Sequence, residues 1–69
     1  MLTELEKAVV EILKERGGRA TLRELAVELH RRGFSPRSAH GALYFLAVKG
    51  VVRRAGHGTY ELAGGAEAK

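Results

Sequence analysis

The amino-acid sequence predicts a mainly α-helical domain with a small β-hairpin, an α+β arrangement of three helices and a two- or three-stranded antiparallel sheet. Three stretches place apolar residues at the spacing of an amphipathic helix, and a glycine follows each of them. After Gly50 the apolar residues recur at every second position, which is typical of strands. The 69 residues contain no linker-like segment, so we expect one domain over residues 1–62. Residues 63–69 carry no large apolar side chain and are predicted to form a flexible tail.

The first helix is predicted from a capping box and one apolar stripe. Thr3 and Glu6 have the spacing at which each side chain accepts a hydrogen bond from the backbone of the other. Gly17 and Gly18 are expected to end the helix. The apolar stripe consists of Leu5, Ala8, Val9, Ile12 and Leu13. This pattern indicates a scaffold helix.

The second helix repeats this pattern. Thr21 and Glu24 form a second capping box, and the helix is expected to end near Arg32. Gly33 suits the positive φ of a short turn into the third helix, and Phe34 is expected to pack between the two helices. The apolar stripe consists of Leu22, Leu25, Ala26 and Leu29.

The third helix is predicted to lie between two capping residues, Ser35 and Gly50. Ser35 is a suitable N-cap, and Pro36 fits the first helical position because its missing N–H has no partner there. Lys49 lies in the last turn, where the helix dipole favours a cation. The expected inward side consists of Ala39, Ala42, Leu43, Leu46 and Ala47. The expected outward side consists of Arg37, Ser38, His40, Gly41, Tyr44, Phe45 and Val48.

A basic hairpin is predicted to follow the third helix. Residues 51–55 and 59–62 alternate as strands do, and the Gly-His-Gly sequence of residues 56–58 is expected to join them. Arg19 and Ala20 are predicted to be extended and able to pair with a later strand. The side chains expected to close the core over the first helix are Val52, Tyr60 and Leu62.

Composition excludes several function classes. Without cysteine, the chain has no disulfide, thiolate nucleophile or thiolate zinc site. No apolar run approaches the ~20 residues that span a bilayer, and no signal-peptide core follows Met1, so we expect a cytoplasmic protein without membrane contact. His30, His40 and His57 lack metal-ligand spacing, and no glycine-rich loop precedes a helix to hold phosphate. We therefore expect no enzyme activity, no metal and no cofactor.

The positive charge is segregated along the chain. The formal net charge is +4, and no acidic residue occurs between Glu28 and Glu61. That span contains Arg31, Arg32, Arg37, Lys49, Arg53 and Arg54, together with all three histidines. Such segregation indicates a surface that faces a polyanion, although an arginine-rich surface without a partner remains an alternative.

The order of predicted elements resembles the winged helix-turn-helix family of bacterial and archaeal transcriptional regulators. The similarity covers residues 3–62 and is clearest in the segment Leu43-x-x-Leu46-x-x-Lys49-Gly50-Val51-Val52-Arg53-Arg54 and in Gly58-Thr59-Tyr60-Glu61-Leu62. It implies that the third helix enters a major groove of double-stranded DNA and that the hairpin, as the wing, contacts flanking backbone or the minor groove. The predicted DNA-binding residues are Arg37, Ser38, His40, Gly41, Tyr44, Arg53, Arg54 and His57.

Two other functions fit the same residues. Tyr44, Phe45 and Val48 are more apolar than the outer face of most reading helices, so they also fit a protein-interaction module or a homodimer contact. Val10 and Val27, which lie off the main apolar stripes, are further candidates for a dimer contact. A nonspecific chromosome-coating protein would need the basic surface but no base-reading side chains.

Overall fold

The computed structural model describes residues 2–63 and confirms the predicted fold class. Three helices pack with a three-stranded antiparallel sheet of strand order β1-β3-β2, an α+β arrangement consistent with a winged-helix layout. The elements are α1 (Glu4–Glu15), β1 (Arg19–Thr21), α2 (Leu22–Arg31), α3 (Ser38–Val48), β2 (Val52–Gly56) and β3 (Thr59–Leu62).

Both predicted capping boxes are present. The Glu6 amide donates to Thr3 Oγ1 at 3.1 Å, and the Thr3 amide donates to Glu6 Oε1 at 2.9 Å. Thr21 and Glu24 make the same pair of hydrogen bonds at the start of α2. Each box satisfies backbone donors that the first helical turn would otherwise leave unpaired, so α1 and α2 begin where the local sequence predicts.

All three helices end in the same glycine-dependent motif. Gly17, Gly33 and Gly50 have φ of 78°, 91° and 80°, a left-handed region that a side chain disfavours. At the end of α3 the Gly50 amide donates to the Ala47 carbonyl, and the Val51 amide donates to the Leu46 carbonyl. This pair of hydrogen bonds satisfies the last carbonyls of the helix and reverses the chain toward the next element.

The predicted start of α3 is wrong by two residues, because Pro36 was expected to be the first helical residue. The helix begins at Ser38, and its N-cap residue Arg37 makes no side-chain capping hydrogen bond. The Ser38 and Ala39 amides donate to carbonyls only three residues earlier, those of Ser35 and Pro36, so a tighter turn precedes the α-helix. Ser35 still serves this turn, because its hydroxyl accepts a hydrogen bond from the Arg37 amide at 3.3 Å.

The register of the sheet determines on which face of the wing each side chain lies. Arg53 pairs with Glu61 and Arg54 pairs with Tyr60, so successive side chains of β2 alternate between faces as predicted. Gly56 is the last residue of β2 instead of part of the loop, because a bulge between Arg54 and Gly56 extends the strand. The hairpin turn is therefore only His57 and Gly58.

The hydrophobic core lies between the three helices and the inner face of the sheet. Its buried side chains are Ala8, Val9, Ile12, Leu13, Ala20, Leu25, Leu29, Ala39, Ala42, Leu43, Leu46 and Val52. Phe34, Tyr60 and Leu62 are partly buried against this core, as the sequence predicted. Ala47 was predicted to face inward but is exposed, because it lies about a quarter turn from the centre of the buried stripe of α3.

The first residue of the predicted tail, Ala63, is hydrogen-bonded to the domain. Its amide donates to the Val51 carbonyl at 2.9 Å, so the predicted tail does not begin free at this residue. The remainder of that tail, residues 64–69, lies outside the described residues. Among residues 2–63, none of the helices has the length and apolar character needed to cross a membrane.

Candidate nucleic-acid interface

The acidic side chains among residues 2–63 are all ion-paired with neighbouring cations. Every glutamate among residues 2–63 has a carboxylate oxygen within 4.0 Å of a lysine or arginine nitrogen. The longest of these contacts is Glu4–Lys7 at 3.8 Å, and most are between 2.6 and 3.0 Å. The positive charge that is not balanced within the domain is therefore carried by the cations outside these pairs.

Four of the six cations in the basic span are engaged within the domain. Arg31 pairs with Glu28 at 3.4 Å, and Lys49 pairs with Glu6 at 2.9 Å. Arg32 joins α2 to α1 through Glu11 and Glu15, each at 2.9 Å. The remaining pair is that of Arg53, whose Nε donates to Glu61 Oε2 at 2.6 Å. These residues contribute less to an outward-facing positive surface than their number in the sequence implies.

Within residues 2–63, four cations have no acidic partner, namely Lys14, Arg23, Arg37 and Arg54. Lys14 lies in the last turn of α1. The three arginines are exposed and belong to the first turn of α2, the start of α3 and strand β2 of the wing. Two of these arginines were predicted to be DNA-binding residues, and Arg23 was not.

Backbone contacts place the wing next to the start of α2. Thr59 of β3 pairs with Thr21, the N-cap residue of α2, and the Leu22 amide donates to the Gly58 carbonyl at 2.8 Å. These contacts hold the hairpin turn against Leu22, the residue that precedes Arg23. Together with Ala55 and Gly56, Arg54 and His57 line a wide, shallow depression of about 460 Å³ on the wing.

A second groove connects α2 with the start of α3. It has a volume of about 360 Å³ and a mostly apolar lining formed by Arg23, Ala26, Val27, His30, Arg31 and Pro36. Arg23 belongs to one end of α2, and Pro36 immediately precedes Arg37. The wing, the first turn of α2 and the start of α3 therefore follow one another across the surface, and each carries an unpaired arginine.

The predicted DNA-binding residues of α3 differ in how available they are. His40, Gly41 and Tyr44 are exposed, as expected for the outward side of the helix. Ser38 is only half-exposed, and its hydroxyl donates to the Ser35 carbonyl in the turn before the helix. This hydroxyl already has a local structural role.

The second half of α3 exposes an apolar cluster, which we define as Tyr44, Phe45 and Val48. Their exposed fractions are 65%, 55% and 68%, which confirms that they face outward. The rings of Tyr44 and Phe45 meet edge to face, with centroids 5.4 Å apart and planes at 75°. Such aromatic pairs are favourable, so each ring restricts the position of the other.

The wing carboxylate is held in its charged form. Hydrogen bonds from Arg53 and then from Arg19 lower the pKa of Glu61 below its ordinary value of 4.5. The cross-strand partners Arg19, Glu61 and Arg53 share one face of the sheet. At neutral pH this face therefore carries two positive charges and one negative charge.

The sequence contains a local indication that Arg23 has no ion-pair partner. No acidic residue lies three or four positions from Arg23, whereas Arg31 has Glu28 three positions away. The partners of Arg32, Lys49 and Arg53 are 8 to 43 residues distant along the chain, and no local pattern indicates them.

Comparisons of this chain with protein-family models, with curated proteins and with solved structures found no match. In the part of the chain that the structure describes, no three histidine, cysteine or acidic side chains come together as candidate metal ligands.

Proposed function

We propose that the protein binds double-stranded DNA as a small transcriptional regulator. The helix α3 enters the major groove, and the wing contacts flanking backbone or the minor groove. One observation carries this proposal. All acidic side chains of residues 2–63 are paired, and three of the four cations left over lie on the wing and at the starts of α2 and α3.

Each part of this surface has a distinct role in the proposal. Arg23 and Arg54 neutralise phosphates beside the groove, and Arg37 reaches a phosphate or a guanine edge. His40 and His57 are exposed donors on α3 and on the wing turn. Arg53 contributes less, because it shares Glu61 with Arg19.

Salt dependence tests the proposal directly. Binding of a fluorescent random duplex is measured by anisotropy at several salt concentrations for the wild type and for R23A/R37A/R54A. The log–log slope of affinity against salt is expected to fall by about 0.9 for each arginine that contacts a phosphate. Lys14→Ala is the matched control, because it removes an equally unpaired cation from α1. No binding of duplex by the wild type at low salt contradicts the proposal.

The apolar cluster favours a second function, that of a protein-interaction module. Three large side chains more than half exposed on one helix are a feature of contact surfaces. Under this alternative, Y44A/F45A/V48A abolishes binding to a protein partner or a second copy, whereas R23A/R37A/R54A does not. Nonspecific chromosome coating is the remaining alternative, and a selected site bound at least tenfold more tightly than random duplex excludes it.

A further inference from the structure

We infer that α3 recognises thymine-rich DNA by apolar contact with the 5-methyl groups in the major groove. This inference rests on the proposed function and names the class of DNA that the same surface selects. It is carried by the side chains that α3 exposes, by those that the chain lacks, and by the space at Gly41.

The outward strip of α3 offers few polar groups to read bases. Arg37, Gly41, Tyr44 and Val48 follow one another along this strip, with Phe45 beside it. No lysine, arginine, aspartate or glutamate occurs from Ser38 to Val48. The only exposed side chains there with a polar tip are His40 and Tyr44.

The usual polar partners of adenine are missing from the chain, and those of cytosine are missing from α3. Adenine is read by asparagine or glutamine, and the sequence contains neither. Cytosine is read by a carboxylate, yet α3 carries none and all described carboxylates elsewhere are ion-paired. Arginine reads guanine, which leaves Arg37 as the single candidate at the start of the helix. Apart from the polar tips of His40 and Tyr44, base discrimination farther along α3 therefore depends on contact between apolar side chains and the thymine methyl group.

Gly41 lets the helix approach the bases closely enough for such contact. A Cβ atom at this position would meet nothing within 4 Å, so the fold itself does not require a glycine there. Glycine inside a helix nevertheless destabilises it by about 1 kcal/mol relative to alanine. The missing side chain leaves a shallow gap in the outward strip. Tyr44 follows this gap three residues farther along, and Val48 lies at the end of the helix.

The apolar cluster is suited to methyl groups by its shape. The edge-to-face contact with Phe45, at a centroid distance of 5.4 Å, holds the ring of Tyr44 in place. Val48 lies one turn beyond Tyr44 and is 68% exposed. Together they present a firm apolar surface on the side of the helix opposite the core.

Charge favours DNA over a second copy of the chain as the occupant. Arg37 lies on the same strip as the apolar cluster, and neither it nor Arg23 or Arg54 has an acidic partner. A polyanion complements these charges. A second copy would bring like charges toward each other and offer no free carboxylate from residues 2–63.

The experiment removes only the methyl group from the DNA. Affinities are measured for a duplex of alternating A·T pairs and for the same duplex with uracil in place of every thymine, which leaves the minor-groove edges unchanged. Affinity for the uracil duplex is expected to fall about fourfold for each methyl group that the helix buries. A G·C duplex that contains 5-methylcytosine is expected to bind more tightly than unmethylated G·C.

Substitutions in α3 test whether this helix causes the difference in affinity between the thymine and uracil duplexes. Y44A and V48A are expected to reduce the difference between the thymine and uracil duplexes, whereas Val27→Ala, which alters an exposed valine on α2, retains it. Equal affinity of the wild type for the two duplexes overturns the inference and leaves the proposed function intact. Absence of binding to any duplex overturns both. A wild-type dimer that V48A dissociates, with no methyl effect, identifies the cluster as a self-interface and also overturns the inference.

Discussion

Lys49 Nζ lies 2.9 Å from Oε1 of Glu6 and so ties the end of α3 to the start of α1. The same carboxylate oxygen accepts a hydrogen bond from the Thr3 amide in the capping box of α1. Glu6 is only 4% exposed and is the one buried charged residue among residues 2–63. A single carboxylate therefore stabilises a helix terminus and a tertiary contact between residues 43 positions apart.

Lys49→Ala is expected to destabilise the domain, because it leaves the buried Glu6 carboxylate without its cation. The melting temperature should fall by roughly 5 °C, since loss of a hydrogen-bonding partner from a buried charge is costly in a small domain. Thermal unfolding followed by circular dichroism measures the change. Lys14→Ala, which removes an unpaired lysine from α1, should shift the melting temperature much less. Equal shifts for the two variants would show that the tie to Glu6 contributes nothing.

The melting temperature should also fall in acid. Hydrogen bonds from Lys49 and the Thr3 backbone lower the pKa of Glu6, and those from Arg53 and Arg19 lower the pKa of Glu61. A carboxyl group with a lowered pKa in the folded state stabilises the fold fully above its ordinary pKa of 4.5 and loses that contribution as the pH falls through the lowered value. Melting curves from pH 6 to about pH 3 should show this loss. Glu6→Gln should flatten the dependence, and an unchanged slope in that variant would contradict the assignment.

Arg32→Ala should loosen the packing of α2 on α1. The Arg32 guanidinium donates to Glu15 and Glu11, and these hydrogen bonds raise the pKa of Arg32 above its ordinary value. The side chain is still 29% exposed, so solvent screening limits the expected loss to about 1 kcal/mol in the free energy of unfolding. Urea denaturation measures it. Arg31→Ala is the control, because the ion pair of Arg31 is with Glu28 of its own helix.

Local structure was predictable from the sequence because its causes are local. The capping boxes at Thr3 and Thr21 and the terminal Gly50 depend on residues within one turn of the chain. The start of α3 was misplaced because Ser35 and Pro36 fit a helix N-terminus and also fit the tighter turn that the chain adopts. Sequence alone does not separate these two conformations.

The candidate surface was harder to predict than the fold. The sequence shows which residues are basic but not which of them find a carboxylate after folding, and those partners lie on other elements. Arg53 and Arg54 were both predicted to bind DNA, yet Glu61 engages Arg53 and not Arg54. Arg23 was not among the predicted DNA-binding residues, yet folding leaves it unpaired beside the wing turn.

Glu61→Gln should strengthen DNA binding if the wing contacts phosphate. The substitution releases Arg53 and Arg19, which both bind the Glu61 carboxylate. Affinity for a random duplex at low salt should rise, and the salt slope should become steeper by about 0.9 for each arginine that reaches a phosphate. Glu4→Gln removes the same charge from α1, where Glu4 pairs with Lys7, and serves as the control. Equal gains for both variants would reveal an effect of net charge alone.

Gly41→Ala separates the stability of α3 from its proposed contact with DNA. Nothing lies within 4 Å of the added Cβ, and alanine favours the helix, so the free energy of unfolding should rise by about 1 kcal/mol. The methyl group of alanine fills the gap at position 41 on the outward strip and should hold the helix away from the bases. Affinity for the thymine duplex should therefore fall toward that for the uracil duplex, while the salt slope stays unchanged because Arg23, Arg37 and Arg54 are intact. Melting and anisotropy measurements on one preparation test both effects, and a more stable variant with full preference for thymine would show that close approach at Gly41 is not needed.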